Sequence, residues 1–413
     1  MTYRHAGGGH WSIGSFVCLV LWMAVLIGCS SGGGGGDPAV SVEPRRVGDS
    51  SPTGGFPQPN DTVFALASDG NGGVYVGGQF TRVGQFPRSR LAHIFANGSV
   101  DPSWDPAPDG PVTALVAQSQ MLFVGGSFFT VDGVERWRLA AIDGITGDLA
   151  PWNPKLGAAN QVDTLALVGG LVYIGGVFDL VNATVVPTTG LTGEPRRNLA
   201  AVDAMTGGAT SWNPNIFEGE VKALAATGST VYVGGSFEQV GPVGQDTVRL
   251  DLAAFDLTSG LATTWNPSVR GVTGNVAYAL HVSDGLVYVG GRFDDIGGQR
   301  RENLAAVDPV GGMATNWNLP ANDTVLTFFD DGRRLYVGGM FTMIGGQARA
   351  RLAAVDKATG MLSSWNPDAN GPVHTIAGSG GKVFVGGEFT AVNGRLRNKL
   401  AVFDAQTGQI VGE

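Results

Sequence analysis

One phrase is written seven times in this chain. It reads VYVGGQF at 74–80, LFVGGSF at 122–128, VYIGGVF at 172–178, VYVGGSF at 231–237, VYVGGRF at 287–293, LYVGGMF at 335–341 and VFVGGEF at 383–389. The glycine doublets begin at Gly77, Gly125, Gly175, Gly234, Gly290, Gly338 and Gly386. Around each doublet a longer sentence recurs. A VxAL-like run precedes it, as in Val63-Phe-Ala-Leu66, Val112-Thr-Ala-Leu115 and Val221-Lys-Ala-Leu224; RxxLAAxD follows, and a short run ending in Trp-Asn-Pro closes the copy. Each run is apolar or alternating, four to eight residues long, and bounded by Gly, Asp or Pro, which is strand patterning. No helical period appears after residue 37. Four strands per copy of about 50 residues predict an all-β chain, a seven-bladed β-propeller of four-stranded antiparallel blades.

The fixed positions have physical roles in that reading. Two glycines at the end of a strand admit a bulge or the close approach of a neighbouring sheet. The Phe after them (Phe80, Phe128, Phe178, Phe237, Phe293, Phe341, Phe389) suits the packing between blades. Asp-x-x-Thr-Gly, as in Asp143–Gly147 and Asp356–Gly360, is turn chemistry; the first copy uses Asn97-Gly98. The closing tryptophans, Trp104, Trp152, Trp212, Trp265, Trp317 and Trp365, repeat with the scaffold and are read as packing residues rather than sugar platforms. An Arg three residues before each Leu-Ala pair (Arg88, Arg136, Arg196, Arg249, Arg301, Arg349, Arg397) is expected to tie its blade to the next through carbonyls or an Asp. A sevenfold anion site is the less economical alternative.

The ends of the chain read differently. Residues 12–28 form an apolar run, and Leu26-Ile27-Gly28-Cys29 resembles a bacterial lipobox, in which the Cys thiol takes a lipid. Ser30 after that Cys implies, by the same resemblance, export to the outer membrane. An uncleaved transmembrane anchor is the alternative. Cys18 and Cys29 are the only cysteines; Cys18 would leave with the signal and Cys29 would be acylated, so no disulfide is expected. The division is thus a signal peptide at 1–28, a Gly/Ser/Pro-rich tether at 29–60 and the propeller at 61–413. The last copy ends without Trp-Asn-Pro, so residues before 61 are expected to help complete the last blade.

From about residue 61 onward, the whole sentence resembles the delta-60 type bacterial propeller repeat. Kelch repeats (VYVGG with a later Asp and Trp) and quinoprotein-like repeats (LAAVDxxTGxxxxW) are looser echoes. These resemblances imply fold and no particular chemistry.

The net charge of −9 and the lack of Lys/Arg clusters argue against nucleic acid. His93, His281 and His374 lie in different copies without metal-ligand spacing. Acids cluster in loops, at Asp61, Asp294-Asp295, Asp323, Asp330-Asp331 and Asp368, and read as solvated turns. No metal, cofactor or catalytic constellation is expected, and no cluster of unlike polar residues is read at the inner strands.

Length breaks concentrate on one face, in the loops between strands two and three and between one blade and the next. They are Asn182–Pro195, Gly241–Val248, Asn215–Glu218 and Val269–Asn275. Loops of this kind on a rigid scaffold make binding surfaces. Thr184, Thr188, Thr189, Glu194, Phe217, Asp246 and Arg270 are the candidate contact residues, and Trp137 is a further surface candidate outside the repeat. The reading is a monomeric, non-catalytic, lipid-anchored envelope scaffold recognising a protein or glycan. The alternative is a quinone-dependent or carbohydrate-active enzyme working in the central channel.

Overall fold

The computed structural model describes residues 55–157, 161–187, 190–241, 247–271 and 274–412. The chain divides into two compact units, Met1–Asp49 and Ser50–Glu413, and all described residues lie in the second. Cys29 and the apolar run before it lie outside the described residues.

Each copy of the sentence folds into one antiparallel sheet with the Gly-Gly strand in the middle. The seven first strands are Val63–Ser68, Val112–Gln118, Gln161–Val168, Glu220–Ala226, Val276–Ser283, Val325–Asp330 and Val373–Ser379. The second strands are Val74–Gly78, Met121–Gly126, Leu171–Val177, Thr230–Ser236, Leu286–Arg292, Arg334–Gly339 and Lys382–Gly387. The third strands begin at Leu91, Leu139, Leu199, Leu252, Leu304, Leu352 and Leu400. Successive first strands touch one another in a closed cycle, the last returning to the first, so they surround a common axis.

The fourth strand is shorter than the sequence suggests. It is a two-residue strand, Met361–Leu362, in the sixth sheet. Elsewhere it shrinks to one bridge, such as Ile142–Leu149, Val202–Ala209 or Phe403–Ile410. In the first four sheets the physical reason is the tryptophan that follows. Its indole leaves the sheet and donates to a carbonyl of the next one: Trp104 to Asp143, Trp152 to Asp203, Trp212 to Asp256 and Trp265 to Asp308, at 2.9–3.1 Å. The chain cannot continue a ladder and make this crossing at once.

Hydrophobic residues fall into seven clusters, each shared by two neighbouring sheets. Phe178 packs with the second and third sheets' aliphatics. Phe80 packs where the last sheet meets the first, beside Phe384, Leu400 and Val402. The seven repeated Phe side chains are 0–3% exposed.

The glycine doublet has a divided function. A Cβ on the first glycine would meet the next sheet: Gly77 against Val112 Cγ1 at 2.6 Å, Gly290 against Val325 Cγ1 at 2.5 Å, and Gly386 against Val63 Cγ1 at 2.5 Å, which closes the ring. A Cβ on the second would strike a backbone carbonyl of its own sheet, as Gly78 against Thr62 O at 2.1 Å. That carbonyl stands close because the first strand bulges there.

The repeated arginines act within their own sheets, which corrects the expected tie to the next. Each donates through Nη1 to the preceding carbonyl; from Arg136 to Arg349, Nη2 donates to a carbonyl 14 residues on, as Arg301 does to Arg300 O and Thr315 O at 2.8 Å. Arg88 also pairs with Asp105 at 3.3 Å. The guanidinium thus pins the short outer run to the segment that leads into the third strand.

Both ends of the described chain meet at the last sheet. Ile410 supplies its outer bridge, and Arg397 Nη2 donates to Gly412 O. Phe56 supplies what the missing tryptophan would. It packs edge-on against Phe384 at 5.7 Å and lies beneath Gly98 of the first sheet's turn. Residues 56–59, expected in the tether, therefore belong to the ring.

Candidate functional site

The glycine ends of the second strands and the starts of the first strands share one face. All seven sheets carry a small hairpin there between strands two and three. The third is much the longest, Leu180–Val186 paired with Gly190–Pro195. Thr184 and Thr192 face each other across it, hydroxyl to hydroxyl at 3.1 Å, and Glu194 lies 3.9 Å from Arg196. Phe217 and Arg270 lie on short strands, Ile216–Phe217 and Val269–Arg270, that extend the hairpins of the fourth and fifth sheets. Arg197 lies over the Phe217 ring at 5.3 Å. Thr188, Thr189 and Asp246 lie outside the described residues. Trp137 is half-buried, with the Lys155 ammonium 5.5 Å from its ring centroid. The described candidate residues of the loops thus share a face without converging on one point.

A tighter constellation lies at the axis. The register of every first strand slips by one residue opposite its glycines. The skipped residues are Phe64, Thr113, Asp163, Lys222, Tyr278, Leu326 and His374, seven copies with seven residue types. Bulges re-aim side chains, and five of these meet a neighbouring sheet around the axis. Lys222 Nζ lies 3.2 Å from Asp163 and 2.9 Å from Glu220. Thr113 donates to the Val162 carbonyl of the next sheet. His374 lies 5.5 Å from the Phe64 ring and 2.9 Å from Glu388. Burial pushes the Asp163 carboxyl up, with Lys222 opposing it. Burial also acts downward on Lys222, but Asp163 and Glu220 outweigh it and raise the ammonium.

This ring corrects the expectation that the inner strands carry no cluster of unlike polar residues. A period-two reading treats the x of VxAL as an ordinary outward position. Alignment of the seven runs is the signal that finds it, because this is where the copies agree least while their neighbours agree most.

The other two histidines among the described residues are held by carboxylates. His93 is buried between Asp69 and Asp101, 3.1 Å from each. His281 lies 3.2 Å from Asp330, which Lys357 also contacts at 2.6 Å. Burial acts upward on Asp330, but the donors Lys357, Ser283, Gly332 and His281 together bring it down to about 2. Among the described residues no helix is long and apolar enough to cross a membrane.

A closed ring of antiparallel sheets, each packed on the next, defines a β-propeller. The family described as "Domain of unknown function (DUF5122) beta-propeller" matches residues 70–103 and 380–405, within the first and last sheets. No curated protein sequence matches the chain. Among solved structures, a chain of a mitotic checkpoint complex is 12% identical with a TM-score of 0.55, covering 80% of this chain and 90% of its own. The WD40 β-propeller domain of Doa1 (12% identity, TM-score 0.49, covering 81% and 93%) and BamB from Moraxella catarrhalis (14%, 0.44, 80% and 82%) also match. At these identities the likeness is one of fold.

Proposed function

We propose that this chain is a seven-bladed propeller of four-stranded blades, the outer strand reduced, that serves as a non-catalytic recognition scaffold. Its N-terminal lipid on Cys29 holds it at the outer membrane, and it binds a protein or glycan partner over the hairpin face. The observation that supports this most is the contrast between scaffold and face. The phrases that build the sheets repeat sevenfold, while the residues skipped at the seven bulges all differ and the third hairpin is enlarged. Unlike groups on a rigid ring suit selective contact.

The channel-enzyme reading draws on the same ring of unlike residues. The internal pairing favours binding over catalysis, since Lys222 is engaged by two carboxylates and His374 by Glu388. A nucleophile with an oriented base is a different arrangement. No cofactor enters this reading.

The test is deletion of residues 184–194 in the full chain, with crosslinking in intact envelopes. The expected result is an unchanged far-UV spectrum and unfolding midpoint with loss of the crosslinked partner. A partner retained at full yield by the folded deletion variant overturns the assignment of the face.

A further inference from the structure

The residue before each Leu-Ala pair has a left-handed backbone in all seven sheets: Arg90, Arg138, Asn198, Asp251, Asn303, Arg351 and Lys399, with φ between 61° and 66°. In four of them the side chain reaches across the seam to the next sheet, while Lys399 donates to Glu388 O of its own sheet. Arg90 donates to Pro108 O at 3.1 Å, Asn198 to Ile216 O at 3.1 Å, Asn303 to Ala321 O at 2.8 Å and Arg351 to Ala369 O at 3.0 Å. Each tie spans 18 residues. A backbone bond runs beside it at several seams, as Ile216 N to Arg197 O and Ala321 N to Glu302 O, both 3.0 Å.

The seam between the fourth and fifth sheets lacks both ties. Its residue is Asp251, and the carbonyl 18 residues on is Val269 O. One Asp251 oxygen accepts from Phe237 N at 3.1 Å, as the Asn198 and Asn303 side-chain oxygens do from Phe178 N and Phe293 N. By that correspondence the other oxygen takes the place of the asparagine NH2, so two acceptors face each other. Val269 N and Leu250 O form no bond like those at the other seams.

A cleft of about 710 Å3 opens here on the hairpin face, lined by Glu218, Glu238, Asp251, Val269, Arg270 and Asn275 among others. The Asn275 side-chain oxygen is buried and without a hydrogen-bond partner among the described residues. The lining thus holds three carboxylate residues and one arginine, and Arg292 and Asp294 of the fifth sheet line an adjoining cleft that shares Asn275.

We propose that this cleft binds a cationic nitrogen donor, an ammonium or guanidinium group, which supplies the hydrogen bonds that Asp251 and the Val269 carbonyl cannot make to each other. The inference rests on the hairpin face being the recognition face and names the chemistry it takes there. A proton competes with the ligand, because a protonated Asp251 can itself donate to the Val269 carbonyl and close the seam. Burial pushes Asp251 up to about 6, with Glu238 adding to the effect and the Phe237 N–H opposing it. Cation binding therefore strengthens as pH rises through that value.

The test is calorimetric titration of the full chain with three probes: the acetylated methylamides of lysine and arginine, and spermidine. The acetylated methylamide of norleucine is the uncharged control. Saturable binding of a cationic probe at pH 7.5, weakened roughly tenfold at pH 5 as Asp251 takes its proton and lost in Asp251→Asn, supports the site. Binding by the amino-acid probes identifies a partner's side chain as the source; binding by spermidine alone identifies a free amine. Asp251→Asn is also expected to raise the unfolding midpoint, because its amide can make both bonds as Asn303 does. No binding by any cation, equal binding of the norleucine control, or binding indifferent to both pH and Asp251→Asn overturns the proposal. The wild-type pH series needs no variant to fold. Its failure is separable from that of the recognition reading, which the 184–194 deletion tests by loss of the partner.

Discussion

Gly338→Ala tests the reason the doublet recurs. A methyl at this position would lie 2.7 Å from Val373 Cγ1 in the next sheet, 2.8 Å from Thr327 Cγ2 and 3.1 Å from Ile376 Cδ1. Carbon atoms prefer about 3.5–4.0 Å, so the seam must part or its side chains must shift by most of an ångström. Overpacking of this kind costs about 1–3 kcal/mol. Every obstructing atom belongs to a side chain, so truncating one should relieve the clash. Val373→Ala alone leaves a cavity and destabilises, yet the double variant should be more stable than the sum of the single losses by about 1 kcal/mol or more. The fifth sheet already has this arrangement, since Gly234 faces Ala277 Cβ at 3.0 Å, and Gly234→Ala should cost less than Gly338→Ala. Gly339→Ala is the contrast. Its methyl would lie 2.2 Å from Thr324 O, a backbone atom that no side-chain truncation removes. Urea unfolding followed by circular dichroism gives the midpoints for the cycle. Equal losses at 338 and 339, with no coupling to Val373, would refute the claim that the first glycine serves the approach of neighbouring sheets.

Two further outcomes follow from individual contacts. Trp265→Phe should lose about 0.5–1.5 kcal/mol in the same urea assay, because its indole N–H donates to Asp308 O at 2.9 Å; Trp317→Phe, which gives up no such bond, should lose less. Stability against pH should show two opposing trends. The turn carboxyls of Asp143, Asp203, Asp256, Asp308, Asp356 and Asp404 are held below their usual range chiefly by backbone N–H donors, so their contribution is present above about pH 4 and fades as pH falls through the lower folded values. Asp251, raised to about 6, works the other way. The folded state holds its proton more tightly, so stability gains as pH drops from 7 toward 4. Asp251→Asn should remove that gain and Asp404→Asn should flatten the acid loss, both measured as urea midpoints across pH 3–8.

The sheets were legible because every seam poses the same packing problem. At most seams a Val and a glycine meet, a Phe fills the interior and a Trp crosses the rim, so one repeated phrase describes one contact; Ala277 replaces the Val at one seam and Phe56 the Trp at another. The arginines were legible as structural residues, but their partners were not, since a carbonyl 14 residues on can belong to the same sheet or its neighbour until the chain path is known. The short outer strand also escaped the pattern, because Trp-Asn-Pro reads as the end of a strand and not as a segment leaving the sheet early.

The sequence alone determined the number of copies, the all-β patterning and the face on which length varies, because these depend on residues close together in the chain. Only the tertiary structure brought Phe64 to His374, Asp163 to Lys222 and Asp251 with Val269 to the lining of one cleft. The first two pairings arise because a bulge turns one residue out of the period-two pattern and a closed ring places it beside its neighbour's counterpart. The third arises because a left-handed turn places a side chain at a seam. Phe56 takes a tryptophan's place for the same reason, since the ring brings the two ends of the described chain to one sheet.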